Sequence, residues 1–267
     1  AFEEITLRVS IQANENETQA KIWKIFQQYV EEQTGGSVKF DVYYGGQLAS
    51  SPEELEMIKA GTIDFIIPMH VMFPSDLLFL NMPGFIKGSC DEVLAFANYI
   101  YFEDPVTSAL VEQEAIDNNV KYLNVNFSGS CAFCGNRDFS TLAEVQGQKL
   151  GNTQTAQFEA AGINVVTVEP PDMYEALSRG TVDFSQMAVD GIYALRWYEA
   201  CKAVVLDGLT AYGNIFTMRR DLFESCSPAL QQVFIDAGNL AHEEYVKLVL
   251  EQEQTMLQEI EASGCAV

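Results

Sequence analysis

One pattern of residues occurs twice in this chain. The first copy runs Glu53-Glu54-Leu55-Glu56-Met57-Ile58-Lys59-Ala60-Gly61-Thr62-Ile63-Asp64-Phe65. The second runs Asp172-Met173-Tyr174-Glu175-Ala176-Leu177-Ser178-Arg179-Gly180-Thr181-Val182-Asp183-Phe184. Each reads as a short amphipathic helix stopped by a glycine, which takes the left-handed backbone conformation at little cost. The β-branched residue, Asp and Phe that follow suit a short strand. Two such units predict two similar α/β lobes, and the cleft between two lobes is a favoured ligand site.

The flanking pattern supports an α/β fold. Ile5 to Ile11 alternates as a strand, and Thr18 to Gln33 is helical with Ile22, Ile25, Phe26, Tyr29 and Val30 on one face. Val38 to Tyr44 is a second strand, and Ser51-Pro52-Glu53-Glu54 opens a helix with a Ser cap, an early Pro and acids at the positive end of the dipole. Phe65 to Ile67 is a third strand, so the order predicts a parallel sheet covered by helices. Asp91 to Tyr101 and Asp104 to Asn118 are helical, and Lys121 to Phe127 is a strand leaving the first lobe. The theme then repeats. Strands are expected at Gly147–Gly151, Asn164–Val168, Val182–Phe184, Ala203–Leu206 and Asn214–Met218, with helices at Thr155–Ala161, Met173–Ser178 and Gly191–Cys201. Pro228 to Ala262 reads as one long helix, kinked near Gly238, that bridges both lobes.

Composition removes several classes of function. A chain of 267 residues, 48% hydrophobic with mean hydropathy +0.01, can bury a core, and no apolar run approaches the roughly 20 residues that span a bilayer. Fifteen basic against 38 acidic residues give a net charge of −23, which repels phosphate backbones and argues against nucleic acid as a partner. The start at Ala1-Phe2-Glu3-Glu4 has no basic and apolar leader, as in a mature exported protein, a trimmed chain or a cytosolic one. The six cysteines, Cys90, Cys131, Cys134, Cys201, Cys226 and Cys265, form an even set compatible with disulfides in an oxidising compartment, with pairing undefined. Cys131-Ala132-Phe133-Cys134 has redox or half-zinc spacing. Only His70 and His242 could add imidazole, and they stand far apart, so no metal or cofactor is expected.

Gly45-Gly46-Gln47-Leu48, the first repeat, Gly147-Gln148-Lys149-Leu150, the second repeat and Trp197-Tyr198-Glu199-Ala200-Cys201-Lys202 occur in an order and spacing that resemble the dicarboxylate-type substrate-binding proteins of TRAP transporters. The resemblance covers essentially the whole chain. It implies a two-lobed periplasmic-binding-protein fold, class II-like, with a long C-terminal helix spanning both lobes. On this reading residues 1–125 with 213–250 form lobe I, and 126–212 with 251–267 form lobe II. It implies an extracytoplasmic, non-enzymatic, monomeric protein that closes on a small organic solute and hands it to a TRAP-type membrane permease. A lipid anchor upstream of Ala1 fits the same reading.

Two positions depart from the family pattern. The family's G-x-K-(I/L)-R strand ends in an arginine whose planar fork grips a ligand carboxylate; here that position is Gly151. The asparagine expected after the second repeat is Met187. Both changes imply a larger, less positive cleft, and a ligand other than a simple four-carbon dicarboxylate, bulkier and less charged. Arg137, in a loop expected over Cys131–Phe139 near the lobe crossing, is a candidate replacement anchor, with a surface or structural role as its alternative.

Ligands of open α/β sheets sit beyond the carboxyl ends of strands. That rule selects Gln12 and Asn14 after the first strand, His70 and Phe73 after the third, and Phe127 and Ser130 at the crossing. In the second lobe it selects Gly151, Asn152, Gln186, Met187, Tyr212 and Asn214. Amides suit polar ligands, histidine donates or senses pH, and Phe73 could stack on a planar solute. A turn or cap role for Gln12 and Asn14, an ordinary loop role for His70 and core packing for Phe73 are the plain alternatives. Two rival functions remain at this stage: a solute receptor for a membrane sensor, and a thiol enzyme using Cys131 and Cys134.

Overall fold

The computed structural model describes residues 2–15, 17–68, 73, 75–80, 90–127, 129–139, 141–153, 156–207 and 213–267. They divide into two compact units, one within residues 1–85, 91–127 and 212–248, the other within 86–90, 128–211 and 249–267. The first unit begins with β1 (Ile5–Ser10), α1 (Thr18–Gln33), β2 (Val38–Tyr43), α2 (Ser51–Lys59) and β3 (Phe65–Ile66). It continues through α3 (Cys90–Asn98), α4 (Thr107–Asp117) and β4 (Val120–Phe127). The second holds β5 (Cys131–Gly135), α5 (Leu142–Val145), β6 (Lys149–Gly151), α6 (Ala156–Ala160) and β7 (Asn164–Val166). It goes on through α7 (Met173–Ser178), β8 (Phe184–Ala188), α8 (Val189–Ala194) and β9 (Ala203–Leu206). The chain returns to the first unit with β10 (Gly213–Arg219) and α9 (Arg220–Ser225), and ends in α10 (Pro228–Ala262). Residues of α10 up to Leu248 belong to the first unit and those from Val249 to the second.

The two repeats build the same device. Gly61 and Gly180 have φ of +73° and +69°, the left-handed region that favours glycine. The helix ends close with Thr62 N–H on Met57 O and Thr181 N–H on Ala176 O, both at 2.9 Å. The Asp then joins the neighbouring strand twice over. Asp64 N–H donates to Arg8 O, while its carboxylate accepts from Arg8 N–H, both at 2.9 Å. Asp183 does the same with Lys149 of β6, both at 2.8 Å. Beyond each Asp a fully buried Phe65 or nearly buried Phe184 enters the sheet, and β3 and β8 pair in parallel with β1 and β6.

Each sheet has five strands, in the orders β2-β1-β3-β10-β4 and β7-β6-β8-β5-β9. The sheets are mixed rather than parallel throughout: β10 runs against β3 and β4, and β5 against β8 and β9. The first core is aromatic, with Trp23, Phe26, Phe65, Phe216 and Phe234 fully or almost fully buried. The second sheet carries one cluster around Met173, Val182, Trp197 and Ile260 and another around Leu150, Phe158 and Phe184.

Several expected elements differ. Cys131–Gly135, read as part of a loop, is a strand paired on both sides; its buried Cys-Ala-Phe-Cys-Gly has no polar alternation to mark it. The second repeat's strand starts at Phe184 and runs to Ala188, because Val182 and Asp183 are used in the turn. The helix expected over Gly191–Cys201 is divided by Arg196, at φ +57°, into α8 and a 3-10 turn at Trp197–Ala200. At Gly238 α10 is continuous. A Cβ there would lie 3.2 Å from that of Leu123, so the glycine serves a close approach of helix to strand.

Replacing Asp183 by Ala should lower the unfolding free energy by about 1–2 kcal/mol, the range for a partly exposed charged hydrogen bond. Urea titration should show a lower midpoint at unchanged slope; an unchanged midpoint would remove the clamp's energetic role.

Candidate functional site

The carboxyl ends of β1, β2 and β3 fall at the same edge as the end of β4 and the start of β10. Two side chains organise this edge. Gln19, at the first turn of α1, accepts from Ala13 N–H at 3.2 Å and donates to Ile67 O at 2.8 Å and Asn214 Oδ1 at 2.9 Å. It thereby ties together the loops after β1 and β3 and the start of β10. Gln12 donates to Ala49 O at 3.0 Å. Beneath it lies Glu54, fully buried, with Ser10 Oγ donating to its Oε1 at 2.8 Å and its Oε2 left without a hydrogen bond. Burial pushes the Glu54 carboxyl up to about 7, against the lowering influence of Gln12 and Ser10.

In the second unit the corresponding edge is formed by the ends of β6, β8 and β9 and the start of β5. Asn152 Nδ2 donates to Gln186 O at 3.2 Å, and Gln186 Nε2 donates to Asp207 Oδ2 at 2.8 Å. Asn152 and Gln186 are both nearly buried. Ser130 is held by Glu253 of α10, through its N–H at 2.7 Å and its hydroxyl at 2.8 Å.

The expected site residues separate into three groups. Gln12 and Asn214 stand at the first edge, and Ser130, Asn152 and Gln186 at the second. His70 and Tyr212 lie outside the described residues, and Phe127 is described only as the end of β4. The remainder have the following surroundings. Asn14, in the loop after β1, is exposed and donates through its N–H and side-chain amide to the Glu17 carboxylate. Phe73 is 4% exposed, a core ring rather than a stacking platform. Arg137 follows the far end of β5, the end opposite Ser130, and donates to Glu144 O.

Gly151 and Met187 also change meaning. A Cβ on Gly151 would come within 2.6 Å of the Met173 sulfur and 3.2 Å of Val182. The space expected to enlarge the cleft is filled by the core. Met187 lies against Gly191, whose Cβ would be 2.7 Å from the Met187 methyl, so this side chain packs on α8 and the core beneath it.

The Cys131/Cys134 pair is likewise dissolved. Residues three apart on a strand point to opposite faces. Cys134 joins the cluster of Met173 and Trp197, away from Cys131. Both are buried and face opposite sides of β5, so they form neither a CxxC disulfide nor a paired redox centre. Among the described residues no cluster of His, Cys, Asp or Glu could hold a metal ion.

Gln19, Glu54, Asp207 and Glu253 were missed from sequence. Gln19 lies on the stripe of α1 that buries Trp23, Phe26 and Val30, and Glu253 on the stripe of Val249, Met256 and Ile260. A polar residue on an apolar stripe was the available signal.

With both edges described, the comparison with known proteins is decisive. The profile of the bacterial extracellular solute-binding proteins, family 7 (DctP), matches residues 9–267. The chain belongs to that family. These are the solute-binding proteins of TRAP transporters, periplasmic and not enzymes. A TRAP periplasmic solute-binding protein from Ochrobactrum anthropi matches with a TM-score of 0.87 at 21% identity, over 99% of this chain and 83% of that one. The 2,3-diketo-L-gulonate-binding periplasmic protein YiaO of Escherichia coli is 19% identical over 98% of this chain and 80% of its own. A solute-binding protein of Verminephrobacter eiseniae is 22% identical over 89% and 71%.

Two outcomes are expected of this binding protein. Gly151→Arg should destabilise it by about 1–3 kcal/mol through overpacking against Met173 and Val182; a thermal melt at or above that of the parent would overturn this placement. A carboxyl raised from 4.5 to about 7 binds its proton more tightly in the folded state. The stabilisation is therefore complete below about pH 4.5 and is lost as pH rises through about 7, on the order of 3 kcal/mol in all. Urea midpoints measured across that window should flatten in Glu54→Gln, which should also be the more stable protein at pH 8.

Proposed function

We propose that this protein captures a small organic acid with a single carboxylate and several hydrogen-bonding groups, not a four-carbon dicarboxylate, and delivers it to a TRAP-type permease. One observation carries the choice. Among the described residues of the second unit, the cations Arg137, Lys149 and Lys202 adjoin the edge opposite Asn152 and Gln186. Arg179 and Arg196 are moreover paired with Glu175 and Glu199. The edge bearing Asn152 and Gln186 offers amides and the Asp207 carboxylate instead. Amide donors can satisfy one carboxylate, while a second, desolvated without a cation, would cost about 3–5 kcal/mol. Asp207 favours a donor on the solute.

Solved proteins of the same fold support this range of solutes. They carry β-D-galacturonate, pyroglutamate and orotic acid, and one carries succinate. The reading accordingly predicts a discriminating melt. At about 100 times its dissociation constant a solute stabilises by roughly 2.7 kcal/mol. Galacturonate, pyroglutamate or orotate should raise the melting temperature where succinate and malate do not, and Gln186→Ala should abolish the shift. A shift with succinate or malate alone would overturn the proposal.

A further inference from the structure

Three thiols distant in sequence come together in the second unit. Lys202 N–H donates to Gly135 O at 2.8 Å, and Ala266 N–H donates to Lys202 O at 2.8 Å. Gly135, Lys202 and Ala266 each follow a cysteine, so this row of bonds draws Cys134, Cys201 and Cys265 together. The return bond, Val204 N–H to Ala266 O at 2.7 Å, fixes the C-terminal tail beside β9. Cys134 and Cys265 are buried in one cluster, and the half-exposed Cys201 packs against it. The Cys201 thiol lies beside that of Cys134 and is the strongest influence on it. That contact and burial push the Cys134 thiol up, and burial pushes Cys265 up to about 11, so neither is a ready nucleophile in the folded protein. The group is not a metal-holding set.

We propose that Cys134 and Cys201 become joined by a disulfide as the protein folds in the periplasm, an oxidising compartment, leaving Cys265 reduced. The oxidant is a disulfide, cellular or oxidised glutathione. The Cys201 thiolate attacks it, forming a mixed disulfide and releasing one thiolate of the oxidant. The Cys134 thiolate then attacks the Cys201 sulfur and releases the other. Two cysteine thiols lose two protons and two electrons, and one oxidant disulfide becomes two thiols. The step belongs to folding, before packing holds Cys134 protonated. The bond would tie β5 to the turn before β9, at the edge opposite Asn152 and Gln186. It rests on the periplasmic location and is independent of the solute.

The test is refolding of the whole chain in a buffer of oxidised and reduced glutathione, in parallel with dithiothreitol. Free thiols are then alkylated in denaturant and the peptides mapped by mass spectrometry. The oxidised sample should yield Cys134 linked to Cys201, with Cys265 alkylated. It should melt about 5–10 °C above the reduced sample, as closure of a loop of about 70 residues in the unfolded chain implies. Cys265→Ser should keep both the linkage and the shift, whereas Cys201→Ser should lose both. An alkylated Cys134 or Cys201, a linkage of either to another cysteine, or a shift that survives in Cys201→Ser would each overturn the assignment.

Discussion

The fold turns on one hydrogen-bonded pair used twice: an aspartate whose N–H and carboxylate both engage a single residue of the neighbouring strand. Asp64 grips Arg8 and Asp183 grips Lys149 in the same manner. The grip fixes strand register just where a helix has ended, so the next residue, Phe65 or Phe184, enters the core face rather than the solvent face. A slip of one residue would reverse every side chain that follows. Everything at the polar edges, from Gln12 to Gln186, inherits its position from that register.

The same interaction explains how much could be read in advance. The helix–glycine–strand signature is local, and its glycines do adopt the left-handed backbone. The long C-terminal helix was legible from its pattern, and the family from the order of its motifs. The central strand β5 was not, because a strand buried on both faces loses the alternation that marks a half-buried one. The same strand carries Arg137 beyond its far end, away from the crossing where a loop over residues 131–139 would put it. Gln19 and Glu253 escaped because a helix face advertises its apolar residues, and the polar one among them acquires meaning only from partners distant in sequence.

The chemistry of the second edge follows from what surrounds Gly151. The missing side chain leaves no void, since Met173 and Val182 occupy the direction it would take. Loss of a cation and gain of core packing are therefore one structural fact. The polar side chains that remain, Asn152, Gln186 and Asp207, are linked by short hydrogen bonds, which hold amides in fixed orientation. Recognition by such groups depends on geometry more than on charge. This also accommodates a chain that is strongly acidic as a whole.

The last helix has a consequence for synthesis. Phe234 completes the aromatic core of the first unit, and Ile260, on the same continuous helix, completes a core of the second. The first unit therefore completes its interior only with Phe234, and the second only with Ile260. Synthesis reaches Phe234 first, so the core of the second unit is the last to receive its helix.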